Sequence, residues 1–512
     1  MYKAVMSTNV SGIESSIVRV EADISEGMPM FELVGYLSSE VREAKDRVRG
    51  ALRNSGYVLP IKRITVNLSP ANVKKNGSGF DLAIAIAVLA ANGEIHPKSL
   101  EDTLFIGELG LNGEVHPVTG ILPMVLAARS AGIHHVLLPY ENYREGMLVP
   151  DMTIHPVRDL CQVIAFLNEK MPLEIPEEVK EQGFKSDVPD FAYINGQQFL
   201  RKACEIAVSG MHNFLMIGPP GAGKSMVAKC IPSILPPMSL EEQLEVSKIY
   251  SVCGLFGENP SLINKRPFRA PHHTISANGL AGGGSVPHPG EISLAHRGVL
   301  FLDELPEFRR ETIEILRQPL EDKVIHVSRV NGDFTFPANF MLVSAMNPCP
   351  CGYFASADAA RCHCTKPQID RYLGRISQPL LDRMDICVSV EKVQYNDIVK
   401  NGGNETSEDI RKRVVAAQQI QKERFAKETY RFNSEIPAKD IPRFCPLGEA
   451  ETAFMKQQFD TLGLTARTYH KVIRVARTIA DLEGKEHIGI DHLMLACTYK
   501  SMDKKYWEAE LQ

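Results

Sequence analysis

The sequence predicts an α/β protein made of three units, and three observations carry that reading. A short apolar strand, Leu215–Ile217, runs into Gly218-Pro-Pro-Gly-Ala-Gly-Lys-Ser225 and then into the helical pattern of Met226–Ile231. This is the strand–loop–helix context in which a glycine-rich loop cradles phosphate. A second apolar run, Val299–Leu302, ends in the carboxylates Asp303 and Glu304, as a buried parallel strand does when it delivers acids to a site at its end. Finally, the motif-rich block 190–393 is followed by 394–512, which is helical in periodicity over most of its length.

Taken in order, residues 1–168 alternate strands and helices. Ile17–Val20 and Ile64–Leu68 read as strands. Glu40–Leu52 reads as a helix with Val41, Ala44, Val48, Ala51 and Leu52 on one face. Asp81–Ala91 is apolar all round, the pattern of a buried helix. Residues 169–189 are charged and proline-bearing and read as a linker. In 190–393, Val324–Phe336 alternates, with Asn331-Gly332 as a two-residue hairpin signal. The strand from Phe340 ends in the polar Asn347. The last unit carries four helical segments, Ile410–Tyr430, Leu447–Leu462, Ala466–Leu482 and Asp491–Tyr499, with Asp491 expected to cap the fourth.

Composition narrows the function classes. A chain of 512 residues exceeds one core at roughly 150 residues per domain. With 57 Lys and Arg against 62 Asp and Glu the net charge is -5, so no global field draws the chain to nucleic acid. Any polyanion site must be a local patch. No secretory pattern opens the sequence and no run of about 18 apolar residues interrupts it, so a cytoplasmic protein without a membrane span is expected. Eleven cysteines without a secretory signal are expected to be free thiols in a reducing compartment.

The chemistry concentrates in two places. Gly218, Pro219, Pro220, Gly221, Ala222, Gly223, Lys224 and Ser225 form the phosphate loop, whose inward N–H groups and following helix dipole favour an anion. Lys224 is expected on the β- and γ-phosphates of ATP, Ser225 and Asp303 on Mg²⁺, and Glu304 on the attacking water. Asn347 would lie between the two phosphate-contacting strands and orient that water. The second place is Cys349-Pro-Cys351 and Cys362-His-Cys364, four thiols within 16 residues with His363 as a spare ligand. Four thiolates suit a structural Zn²⁺. The C-x-C spacing is tighter than the usual C-x-x-C, and unmetallated thiols are the alternative reading.

Arg266-Pro-Phe-Arg-Ala-Pro-His-His-Thr-Ile-Ser276, Pro289-Gly-Glu-Ile-Ser-Leu-Ala-His296, Asn347-Pro-Cys-Pro-Cys-Gly352 and Leu380-Leu-Asp-Arg-Met-Asp385 resemble the YifB/ComM branch of the Mg-chelatase-like AAA+ ATPases over essentially the whole chain. The resemblance implies an AAA+ core at 190–393 with Mg-chelatase-like insertions and a helical lid at 394–512. It nominates Arg383 as the finger that reaches a neighbouring subunit's γ-phosphate, with Arg375 and Arg371 as runners-up. It nominates Arg467 as the second sensor, with Arg474 and Arg477 one and two turns further on. It implies a homo-oligomeric ring, usually a hexamer, whose pore loops Arg266–Gly290 and Val324–Phe336 would grip DNA through Arg266, Arg269 and Arg329. The implied activity is ATP-driven DNA translocation or branch migration of recombination intermediates, in natural transformation or repair. A chelatase-type motor for metal insertion and a protein-remodelling unfoldase are the alternatives.

Asn76–Ala90 and Leu104–Pro139 resemble the Lon protease proteolytic domain, an α+β fold of the ribosomal S5 domain 2 type. Lon-type chemistry needs a serine nucleophile and a lysine base. The serine position falls on Gly79 or Phe80, next to Ser78, and the lysine position falls near Leu122. The expectation is the fold at 1–168 without the dyad, and no protease activity.

Overall fold

A computed structural model of the chain describes residues 1–96, 100, 102–176, 188–257, 259–284, 287–329, 332–357, 359–393, 404–501 and 504–507. Most of the expected linker and the start of 394–512 lie outside these residues.

The first unit is built on a hairpin of β1 (Tyr2–Ser11) and β2 (Glu14–Ser25), which pair antiparallel from Tyr2↔Asp23 to Ser11↔Glu14. Its other main elements are β3 (Met30–Val34), α1 (Ser39–Asn54), β4 (Arg63–Ser69), α2 (Asp81–Asn92), β5 (Thr103–Phe105), α3 (Ile121–Ser130), β6 (His135–Pro139), β7 (Thr153–Val157) and α4 (Leu160–Leu167). The strands form one sheet in the order β3-β4-β2-β1-β5-β6-β7. Ser38 caps α1 by accepting from the Val41 amide, and the predicted apolar face is the buried one. The all-apolar α2 is buried from Asp81 to Ala91, as its composition requires. Asp81, the charge at its start, is ion-paired to Arg47 at 2.6 Å.

The second unit runs through α5 (Gln198–Gly210), β8 (Phe214–Ile217), α6 (Lys224–Ile234), α7 (Leu240–Val252), β9 (Phe268–Arg269), β10 (Val299–Leu302), β11 (Val324–Arg329), β12 (Gly332–Pro337), β13 (Met341–Met346) and β14 (Ile386–Ser389). Five of these strands make an all-parallel sheet in the order β9-β10-β13-β8-β14. Its central strands are apolar and buried on both faces, which is why they read as short continuous apolar runs rather than alternations. Phe214 and Met216 enter a core shared with α5, α6 and the C-terminal helices, whereas Leu215 and Ile217 enter one that holds Leu302, Phe308 and Leu380.

β11 and β12 form a separate antiparallel hairpin in which Arg329 pairs with Gly332. The expected hairpin is present, with the one correction that Gly332 is paired in β12. The residues between the two strands lie outside those described.

Four helices dominate the third unit: α8 (Ser407–Arg424), α9 (Glu449–Thr461), α10 (Ala466–Leu482) and α11 (Ile490–Ser501). Two expectations are corrected. The helix expected to reach Tyr430 ends at Arg424, whose guanidinium turns inward to Asp481 at 2.5 Å. Asp491 lies inside the first turn of α11 rather than capping it. α10 is tied to the parallel sheet by Lys471, 2.7 Å from the Asp385 carboxylate. Burial opposes ionisation of Asp385, but Lys471 and His212 hold it far below the usual carboxylate range.

The first unit rests on the second through α3 and α7. The Glu145 carboxylate accepts from the Ser251 hydroxyl at 2.5 Å and from the Leu122 amide at 3.0 Å. The Gly120 amide donates to the Ser251 carbonyl at 3.2 Å.

Candidate nucleotide site

The site forms at the C-terminal ends of three adjacent parallel strands, the usual place for a ligand in an open α/β sheet. β8 delivers the glycine-rich loop, β10 delivers Asp303 and Glu304, and β13, hydrogen-bonded between them, delivers Asn347. Gly221 and Gly223 sit at φ +76° and +84°, a conformation that residues with a Cβ adopt only under strain. The loop therefore curls tightly ahead of α6.

Lys224 donates to the Gly218 and Pro219 carbonyls at 2.7 and 2.9 Å and to Asn347 Oδ1 at 3.1 Å. Its ammonium thus stands inside the loop and touches the neighbouring strand. Burial pushes its pKa down from 10.5 to about 8, against the pull of Asp303 and Glu304. The Ser225 hydroxyl donates to Asp303 Oδ2 at 2.5 Å. A hydroxyl paired with a carboxylate at the foot of a phosphate loop is the oxygen-rich donor set that suits Mg²⁺. Beside the loop lies a cavity of about 350 Å³ lined by Tyr193, Ile194, Gln197, Gly221–Gly223, Met226, Val227 and Lys392. Its mixture of apolar side chains and backbone amides fits a nucleoside.

Two features escaped sequence reasoning. Tyr193, Ile194 and Gln197 precede α5 and carry no motif; only chain folding brings them to the loop. Glu304, at φ +52°, has its carboxylate 3.6 Å from His273 Nδ1. His273 was visible only as part of the insertion, with nothing local to link it to Glu304.

The remaining nominated residues fall into distinct places. Arg383 is buried, donating to the Arg317 and Pro379 carbonyls at 3.0 and 2.6 Å, with Glu321 at 3.0 Å. Arg467 hydrogen-bonds the same Glu321 carboxylate. The two arginines, far apart in sequence, thus form one cluster. Burial works to raise the Glu321 pKa, but the guanidiniums of Arg467 and Arg383 outweigh it and hold the carboxylate below its ordinary range. Arg375 pairs with Glu307 at 3.0 Å. Arg477 is buried against Asp481 and the Lys485 and Glu486 carbonyls, a structural role within the helical unit.

Among the arginines expected to grip DNA, Arg266 is turned inward. It is buried, 3.0 Å from Glu242, and bonded to the Pro236 and Arg297 carbonyls. Arg269 is held by both oxygens of Glu291, at 2.6 and 2.7 Å. Neither guanidinium is available in the way a phosphate contact requires, because each is already satisfied by carboxylate within its own chain. Arg329 is exposed on β11 and has no carboxylate partner among the described residues.

The four nominated thiols converge. The sulfurs of Cys349, Cys351, Cys362 and Cys364 all lie within 4.8 Å of one another, and His363 is not part of the set. In the first unit, the Ser78 hydroxyl donates to the Glu108 carboxylate. Leu122 is a buried core residue, and Lys75, three residues before Ser78 in the sequence, donates its ammonium to the Pro70 and Val73 carbonyls. No helix of the described residues is long and apolar enough to cross a membrane.

A phosphate loop, an acidic strand end and a polar strand end on a sheet of this order, followed by a helical unit, define an ATP-binding core of the AAA+ class. Comparison with known proteins places it further. The profile of magnesium chelatase subunit ChlI matches residues 190–398, its subunit ChlI companion matches 20–142, and its C-terminal profile matches 404–500. The chain is 41% identical to competence protein ComM of Haemophilus influenzae over 96% of each chain. It is 38% identical to the uncharacterized protein YifB of Salmonella typhimurium over 98% of each. It belongs to the YifB/ComM family of Mg-chelatase-like AAA+ proteins. A more distant likeness, 27% identity over 177 residues, joins 32% of the chain to 21% of Lon protease 1 of Hydrogenovibrio crunogenus.

Proposed function

We propose that this protein is a ring-forming ATPase that couples ATP hydrolysis to movement along DNA, most naturally the branch migration of recombination intermediates. The observation that carries the ATPase reading is the Lys224–Asn347 and Ser225–Asp303 contacts across three adjacent strand ends. In this reading Lys224 and the loop amides hold the phosphates, and Ser225 and Asp303 hold Mg²⁺, which neutralises phosphate charge. Glu304 takes the proton of the attacking water and Asn347 orients it. Arg383 and Arg467 act together across the subunit boundary on a neighbour's γ-phosphate, which requires a closed head-to-tail ring, in this family's usual form a hexamer. The cofactors are ATP with Mg²⁺, and a structural Zn²⁺ on the four clustered thiolates.

The DNA reading is supported by the competence protein at 41% identity and by the exposed Arg329. Six copies of one arginine in a narrow channel multiply a weak phosphate contact and ignore base identity. The first unit is read as a Lon-like fold of 1–168 that keeps no protease dyad, since Ser78 faces a carboxylate and an apolar core residue stands at the base position.

The test is ATP turnover with no DNA and with single-stranded, duplex or four-way-junction DNA. Strong stimulation, greatest on the junction, is expected. Turnover indifferent to every DNA at low salt would move the reading to a chelatase-type motor, which the matched profile descriptions name, or to an unfoldase.

A further inference from the structure

The loop from Cys349 to Cys364 leaves β13 immediately after Asn347 and folds back over the phosphate loop. Three of its sulfurs stand 3.3 Å apart for Cys349 and Cys351, 3.5 Å for Cys351 and Cys362, and 3.9 Å for Cys349 and Cys362, and that of Cys364 lies within 4.8 Å of each. These separations are far longer than the roughly 2.05 Å of a disulfide. Four sulfurs at about 2.3 Å from a tetrahedral Zn²⁺ stand about 3.8 Å apart, within the range of the separations seen here. The Phe354 amide donates to the Cys349 sulfur at 3.4 Å, the kind of support a charged thiolate takes. Neutral thiols attract one another too weakly to gather a loop of this length, whereas a shared cation does so directly.

This loop and the strand end it leaves touch the nucleotide site at three points. Gly352, at φ +87°, is pressed on the phosphate loop: a Cβ there would stand 2.4 Å from Pro220 Cδ. The Tyr353 ring lies 5.1 Å from the Lys392 ammonium, and Lys392 lines the nucleoside cavity. Asn347, two residues before the first thiol, accepts from Lys224.

We infer that a Zn²⁺ held by Cys349, Cys351, Cys362 and Cys364 anchors this loop as a wall of the nucleotide site, so that metal occupancy sets ATP affinity. This rests on the ATP and zinc reading above and adds its regulation: a chain that loses the metal loses the wall that places Pro220, Tyr353 and Asn347.

The test uses the full chain. Elemental analysis is expected to find about one zinc per chain. Exchange with Co²⁺ is expected to give the intense visible absorption and thiolate charge-transfer band of a tetrahedral tetrathiolate site. Cys362→Ser/Cys364→Ser is expected to lose the metal and to bind a fluorescent ATP analogue roughly tenfold more weakly or worse, about 1.4 kcal/mol or more of binding free energy. Should that variant fail to fold, chelator extraction of the native chain is expected to weaken binding reversibly, with Zn²⁺ restoring it. Gly352→Ala is expected to keep the metal yet weaken binding, because it strikes Pro220. Four freely titrating thiols and no cobalt spectrum would overturn the metal site. A metal-free chain with unchanged nucleotide affinity would overturn the coupling. An affinity unchanged in Lys224→Ala would instead overturn the nucleotide site itself.

Discussion

Around Lys224 carboxylates are in excess: one lysine faces two of them, Asp303 and Glu304, both at the end of β10. Around Glu321 the balance is reversed, with two guanidiniums, Arg383 and Arg467, on one carboxylate. One face offers an acid-lined phosphate loop and the other an excess of fixed positive charge. Faces of opposite character on one subunit suit head-to-tail association, in which a triphosphate brought by the first meets the arginines of the second. In the proposed ring, the excess arginines of one subunit would complete the nucleotide site of its neighbour, and the contrast between the two clusters is what supports that reading.

The sharpest way to break this comparison is to disable one face at a time. Glu304→Gln and Arg383→Ala are each expected to lower ATP turnover about 10³-fold or more, while the Arg383 variant still binds nucleotide. Mixed in equal amounts, the two inactive chains are expected to recover part of the activity, because an intact Glu304 then meets an intact Arg383. A mixture as inactive as its components would show that the two faces never meet.

A smaller effect separates arginines that serve the fold from one that faces outward. Arg329→Ala is expected to weaken DNA binding across all sequences and to reduce its salt dependence by about one charge, with basal ATP turnover kept. Arg269→Ala is expected to lower the melting temperature, because it releases Glu291, while leaving DNA binding near normal. Equal DNA affinities for wild type and Arg329→Ala would remove the β11–β12 hairpin from the DNA surface.

The smallest effect is a proton. Burial holds Lys224 at about 8 in place of 10.5, and phosphate oxygens beside it restore its charge. Nucleotide binding is therefore expected to take up a proton between about pH 8 and 10, and affinity to fall as pH rises through that window. Calorimetry in buffers of different ionisation enthalpy measures the uptake. Lys224→Ala should abolish it, and an uptake that persists in that variant assigns the proton to another group.

The sequence by itself determined the elements whose chemistry is local. The phosphate loop needs glycines at Gly221 and Gly223 because the backbone turns there, so eight consecutive residues announced it. A strand buried on both faces must be apolar throughout, so Val299–Leu302 and the acids that follow it were legible. The all-apolar α2 and the paired thiols were legible for the same reason. What only the tertiary structure decided is which charges find each other. Arg266, Arg269 and Arg329 are alike in sequence, yet Glu242 and Glu291 claim the first two, and no local pattern records that choice. Arg383 and Arg467 meet on Glu321, His273 meets Glu304, and the nucleoside cavity is closed by Tyr193, Ile194 and Gln197, because strand order and the docking of α10 bring distant segments together. Ion pairing depends on separation and burial in three dimensions, whereas periodicity and backbone conformation are properties of neighbours along the chain.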